Sequence, residues 1–305
     1  MRLLDEVRAT AAAVAQAARY VRVQTDAIEG YAASLPLSEL ENPELDAATH
    51  YLGEPEATLA YVLTLDAINF GSGYFPKLTK RAGLSGYFTV AASLKDVYDA
   101  KGPLSAAQLQ ILSANDCTRI FGQTDNPDPG VAELMALFSR ALNDLGNYVA
   151  NQFGGSFQAL VTEAAGSAEQ LITILTKMPF YQDVGFYKRA QLTAADLSVA
   201  GVAQFGDLDR LTIFADNLVP HVLRVDGVRA YEPGLLERIE REDLIPAGST
   251  EEREIRACAL HAVELIAGAL QHKVTSMQLD YLLWNRGQLP AYKAKPRHRT
   301  QTVFY

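Results

Sequence analysis

The sequence predicts an all-α globular protein. Three observations lead there. Apolar residues recur at helical spacing along most of the chain, the strict alternation of a β-strand is scarce, and capping residues, prolines and glycines punctuate the periodic stretches. The 305 residues, 49% of them hydrophobic, suffice to bury a full core and read as one helical domain over 1–305.

Residues 1–24 are alanine-rich and place Leu4, Val7, Ala11, Val14, Ala18 and Val21 on one face, which predicts a packing helix. Pro36 and residues 38–43 read as a loop leading to a short region with His50 and Tyr51. Helical periodicity returns over 56–69, where Asp66 interrupts the apolar row of Leu59, Val62, Leu63 and Phe70. A carboxylate in such a row needs a partner or a purpose. The run Gly71-Ser-Gly-Tyr-Phe-Pro76 is a turn whose glycines let backbone approach a ligand. Asn69, Phe70, Tyr74 and Phe75 gather around it, a setting that suits either a planar heterocycle or plain core. Residues 83–90 and 96–105 read as loop and short helix, and 126–130 as a turn.

A strong amphipathic helix is predicted over 131–151, with Leu134, Phe138, Ala141, Leu145 and Tyr148 on one face. Gly154-Gly155 ends it and marks a candidate lobe boundary near 152–156. A helix over 168–177 stops before Pro179, and an aromatic loop from Phe180 runs into a helix that begins with Lys188 and Arg189. Positive charge at that end opposes the helix dipole, which points to a role other than helix stability.

Within residues 211–224, Asp216 is the one carboxylate in an apolar run, and Pro220 follows four positions later. Proline suits a first helical turn, so a helix starting near Leu218 puts Asp216 and Asn217 at its N-terminus. Two readings stand at this point: a capping side chain, or a catalytic carboxylate favoured by the dipole. Helices follow over 233–241 and 249–272, the second opened by a capping box of Ser249 and Glu252 and buried along Ile255, Ala259, Ala262, Ile266 and Leu270. His261, Glu264 and His272 share its other side without HExxH spacing, which reads as a solvated polar face and no metal site. The last helix, 275–286, ends at Gly287 with Pro290 beyond, and on it Asp280 and Trp284 project together. The basic tail closes on Val303, Phe304 and Tyr305, which argues for docking onto the body.

Net charge is −9 with no long basic block, which weighs against a duplex-binding surface. Two cysteines without a CxxC suit a reducing cytoplasm, and no apolar run approaches the ~20 residues of a membrane span. The charges in the opening MRLLDEVRAT are incompatible with a signal-peptide core, so a soluble, cytoplasmic protein is expected. The chain has no GxGxxG, GxxxxGK[ST] or GxSxG motif. What remains is a set of acids, Asp66, Asp216 and Asp280, in aromatic surroundings, with Lys188 preceding Asp216 by 28 residues. Such a set suits cleavage of a glycosidic bond better than acyl or hydride transfer.

Five segments carry a resemblance. Asp66-Ala-Ile-Asn-Phe70, Phe186-Tyr-Lys-Arg-Ala-Gln191, Phe214-Ala-Asp-Asn-Leu-Val-Pro220, Tyr281-Leu-Leu-Trp-Asn-Arg-Gly-Gln288 and His298-Arg-Thr-Gln-Thr-Val-Phe-Tyr305 together resemble the queuosine salvage protein family. The resemblance implies hydrolysis of queuosine 5'-monophosphate to queuine and ribose 5-phosphate, with no cofactor, on a helical fold similar to the helix-hairpin-helix DNA glycosylases. It implies a small nucleotide as partner, and neither duplex nucleic acid nor a membrane. Asp216 and Lys188 are then the catalytic candidates. Asp280 and Asp66 would accept from the base's N–H groups, and Phe70 or Trp284 would stack on it. Lys188 and Tyr305 lead the candidates for phosphate and sugar, with His50, Asn69, Ser72, Ser139 and Asn285 as further polar groups. The alternatives are a DNA or RNA base glycosylase, against which the acidic charge weighs, and a non-catalytic helical binding module.

Departure of a base leaves positive charge at the anomeric carbon, and a fixed carboxylate beneath the ring stabilises or captures that state. Asp216→Asn is therefore expected to fold normally and lose most turnover, because the carboxylate acts on charge that develops mainly in the transition state. Base release followed by chromatography checks this, and an unchanged kcat in the folded variant would leave Asp216 a cap.

Overall fold

A computed structural model describes residues 2–40 and 43–305; residues 41 and 42 of the loop expected over 38–43 lie outside them. Fifteen α-helices and one two-stranded sheet make up the regular structure of the described residues, which places the protein in the all-α class. None of these helices is long and apolar enough to cross a membrane. The chain divides into two compact units: the first comprises Met1–Pro43, Val184–Lys188 and Asp207–Gln301, the second Glu44–Asp183, Arg189–Gly206 and Thr302–Tyr305.

In the first unit the helix Thr250–Ala269 is the packing centre, with Leu3–Ala17 and Ile28–Ser34 laid against it. Val7 and Ala11 from the first helix meet Leu260, Val263 and Ile266 in one core. Full burial of each larger aliphatic side chain contributes ~1.5–3 kcal/mol. Leu3–Ala17 ends well before the residue 24 that periodicity suggests, and Val21–Val23 is instead a strand paired antiparallel with Arg229–Tyr231. The cause is Glu254, a buried carboxylate that accepts the N–H groups of Arg19, Tyr20 and Val21 at 2.7 to 3.1 Å. With those donors committed sideways, the helix cannot continue.

Leu218–Val225 packs on Ser276–Gly287 in the same unit. Gly287 does more than end its helix: a Cβ there would lie 2.8 Å from Leu218 Cγ, so only glycine allows this approach. Ser249 caps the long helix through the N–H of Glu252 at 3.2 Å, while the Glu252 carboxylate reaches back to Gly248 rather than to Ser249. One half of the expected capping box is therefore present. The polar face holds Glu264 in structural bonds to Arg8 at 2.8 Å and Ser276 at 2.7 Å.

The second unit is built on Pro129–Phe153, against which Ala106–Gln110 and Ala114–Ile120 pack. Gly146 permits this, since a Cβ would come within 2.7 Å of the Ala106 oxygen. Asn143 and Ser139 of the long helix donate to the carbonyls that end the short one: Asn143 to Leu109 and Leu112, Ser139 to Leu112 at 2.7 Å. Gly154, at φ +59°, ends the long helix inside this unit, and the chain passes from one unit to the other elsewhere. The loop and short helix expected over 83–105 are one continuous helix, Gly86–Lys101, capped by Ser85. Its opening run Gly86-Tyr-Phe-Thr-Val90 consists of weak helix formers, but Thr89, Val90, Ala91, Ala92 and Leu94 are buried, and packing overrides propensity.

Replacing Glu254 by Ala takes the acceptor from three N–H groups, that of Val21 buried and those of Arg19 and Tyr20 partly so. It is expected to lower unfolding free energy by about 2–5 kcal/mol, read as a shifted urea midpoint with unchanged slope. Near-wild-type stability would show that water replaces the carboxylate.

Candidate active site

The first unit holds two of the three acids singled out in the sequence, Asp216 and Asp280. Asp216 stands two residues before the first residue of Leu218–Val225, and its Oδ1 accepts the Leu218 N–H at 2.7 Å. Asn217 occupies the N-cap position by backbone but makes no side-chain cap bond, so Asp216 supplies it. The carboxylate is half-buried, and capping engages Oδ1. Two residues earlier, the Phe214 N–H donates to Asp280 Oδ1 at 2.8 Å, tying this segment to the helix Ser276–Gly287.

Asp280 is 4% exposed. Burial pushes its carboxyl up to about 8, the neighbouring charge of Asp216 pushes the same way, and the Phe214 N–H and the Lys188 ammonium oppose them. This shift favours the neutral form of Asp280, in which the carboxyl can donate as well as accept. Lys188, 6% exposed, opens the helix Lys188–Val199 and lies within the field of Asp280. Arg297 faces the same pair: burial lowers its guanidinium, and Asp216 acts to raise it. Trp284 is half-buried one turn beyond Asp280, while Asn285 is exposed.

The other candidates lie in the second unit. Asp66 is fully buried near the end of Pro55–Ala67, with the Asn69 amide on Oδ1 at 3.3 Å. Arg189 explains its own unfavourable helix position. Its guanidinium donates to the Asp66 and Ala67 carbonyls, capping the C-terminus of that neighbouring helix, and it lies 4.9 Å from the Phe70 ring centroid and 4.8 Å from that of Tyr181. Phe70, 2% exposed, also meets Phe138 edge-on, which is the packing of a core ring. The Gly71 N–H donates to the main-chain oxygen of buried Tyr305 at 3.0 Å, which docks the C-terminal residue, and the Ser72 hydroxyl is buried beside that turn. His50 is occupied by the Asp46 carbonyl, Thr49 and Tyr87, and burial lowers its pKa. Ser139 serves the helix contact described above.

Sequence reasoning missed Arg256 and Arg297. Arg256 carried a legible signal, a charge four residues after Glu252 inside an apolar stripe. Arg297 had none, because its bearing on Asp216 exists only once the tail is folded.

A family profile described as queuosine salvage protein matches residues 49–305. A Sphaerobacter thermophilus protein named queuosine 5'-phosphate N-glycosylase/hydrolase is 35% identical, covering 98% of this chain and 97% of its own. Relatives with the same name from Bos taurus and Mus musculus are 31% and 30% identical, covering 90% and 83% of this chain, and 91% and 83% of their own.

The unfolded chain ionises an aspartate near ~4, whereas the folded protein holds the Asp280 proton up to about 8. The folded state thus carries the extra proton across that window, and its stability falls as pH rises through it. Asp280→Asn keeps an oxygen for the Phe214 N–H and removes the titration. Its Tm is expected to drop less than that of the wild type between about pH 5 and pH 9; parallel Tm curves for the two proteins would refute the assignment.

Proposed function

The chain belongs to the queuosine salvage protein family, and on that premise we propose that Asp216, Asp280 and Lys188 carry out its hydrolysis of queuosine 5'-phosphate. The protein is an N-glycosyl hydrolase that releases queuine and ribose 5-phosphate. The arrangement that supports the residue assignment is Asp280, buried and held by the Phe214 N–H, in the field of the helix-capping Asp216, with burial and that charge pushing its carboxyl up to about 8. Heterolysis sends the glycosidic electron pair onto the base nitrogen and leaves positive charge at the anomeric carbon. Asp216 faces that charge and stabilises or captures it. Asp280 gives its proton to the departing base, which as a 7-deazaguanine lacks the nitrogen where purines usually accept one. Water then adds to the anomeric carbon, displacing the Asp216 carboxylate where it has bonded there, and its proton returns to the Asp280 carboxylate, which restores the acid.

Lys188 moderates the negative charge of the pair and is the cation proposed for the substrate's phosphate. A single nucleotide, rather than a duplex, fits a chain of net charge −9. The free, buried thiols of Cys117 and Cys258 support a reducing, cytoplasmic location.

The test compares queuosine, its 5'-monophosphate and a queuosine-containing oligonucleotide, with base release followed by chromatography. The monophosphate is expected to be cleaved fastest, with kcat/KM declining above about pH 8 as Asp280 loses its proton. Cleavage of the oligonucleotide alone would overturn the small-molecule reading, and a rate flat through pH 9 would remove Asp280 as the acid.

A further inference from the structure

We propose that Arg256 is a positioning residue for this hydrolysis, its guanidinium joining the backbone that carries Asp216 to the backbone that carries Lys188. The inference rests on the function proposed above and adds a residue to it. Arg256 belongs to Thr250–Ala269 and is 2% exposed. Its Nε donates to the Ala215 carbonyl at 2.8 Å, and its Cζ lies 4.0 Å from the centroid of the Phe186 ring. Ala215 immediately precedes Asp216, and Phe186 stands two residues before Lys188. Glu252, on its own helix, pairs with it at 3.5 Å.

A buried cation is a poor source of stability, since an apolar side chain of similar size often serves as well or better. Ile255 and Ala259 fill the same helix with apolar groups. What the guanidinium does that they cannot is present a flat face to a ring while donating an N–H in its own plane to a carbonyl. A lysine ammonium does not reproduce that pairing. The Phe186 side needs holding, because the intervening Tyr187 has φ +49°, a left-handed conformation that is unfavourable for a bulky residue and persists only where neighbours enforce it. Arg256 thus braces a strained segment on one side and the approach to the capping aspartate on the other.

The experiment measures kcat and KM for queuosine 5'-phosphate in the wild type, Arg256→Lys, Phe186→Leu, Asp216→Asn and the double variant Arg256→Lys with Asp216→Asn. Misplacing a reacting group by about 1 Å costs on the order of 100-fold. Arg256→Lys is expected to lower kcat by roughly 10- to 100-fold with KM changed by less than about threefold. The double variant is expected to be no slower than Asp216→Asn alone, because Arg256 acts through that carboxylate. A merely structural role would leave the losses multiplicative. A folded Arg256→Lys with wild-type kcat, a loss confined to KM, or multiplicative losses in the double variant would each overturn the proposal. Should Arg256→Lys fail to fold, Phe186→Leu carries the test, since it removes the ring and leaves the buried cation partnered; a lowered kcat supports the brace and an unchanged one refutes it. A wild type inactive on the monophosphate would instead sink the hydrolysis reading, and the positioning role with it.

Discussion

A main-chain N–H donated into a buried carboxyl group, Phe214 to Asp280, is the constraint on which the rest of the site hangs. It fixes where the apolar run ending at Asp216 lies against Ser276–Gly287. Gly287 then lets Leu218–Val225 close to contact, and the short distance between elements puts two acidic side chains in one electrostatic environment. Like charges in a dry setting cannot both persist. The more deeply buried member, Asp280, is pushed toward its neutral form by that burial and by the charge of Asp216, so place in the fold sets two chemically identical side chains apart.

A helix cap and the proposed catalytic carboxylate, alternatives when only position along the chain is considered, coincide at Asp216. One oxygen satisfies an amide that the helix start leaves without a partner, and the same aligned peptide dipoles favour negative charge there. The arrangement costs no extra structure: the element that orients the carboxylate is the one whose end the carboxylate completes.

The helical class and the place of Asp216 were legible because both rest on local rules, spacing of apolar residues and proline in a first turn. Long-range partners were not. Val21 reads as the last residue of a helical stripe until Tyr231 pairs with it across 210 positions, and Glu254 reads as a solvent-side acid until it collects the N–H groups of Arg19 to Val21. The protonation of Asp280 depends on burial and on Asp216, neither visible in residue order. Arg256 was half visible, as a charge in an apolar stripe, but the ring and carbonyl it joins lie about 70 and 41 positions away. In both misread segments packing outweighed propensity, as it does in Gly86–Lys101.

The interleaving of the two units has a consequence for the ribosome. Glu44–Asp183, most of the second unit, is contiguous and leaves the exit tunnel early enough to collapse during synthesis. The first unit cannot follow, because Leu3–Ala17 lays its apolar face on Thr250–Ala269. At bacterial or eukaryotic elongation rates of roughly 5–20 residues per second, Leu4, Val7 and Ala11 wait on the order of ten to fifty seconds for their partner. During that interval the apolar face of this segment lacks the helix it packs on in the finished fold, which makes it a natural client for a holding chaperone, and the residues that will form the acid pair are not yet made.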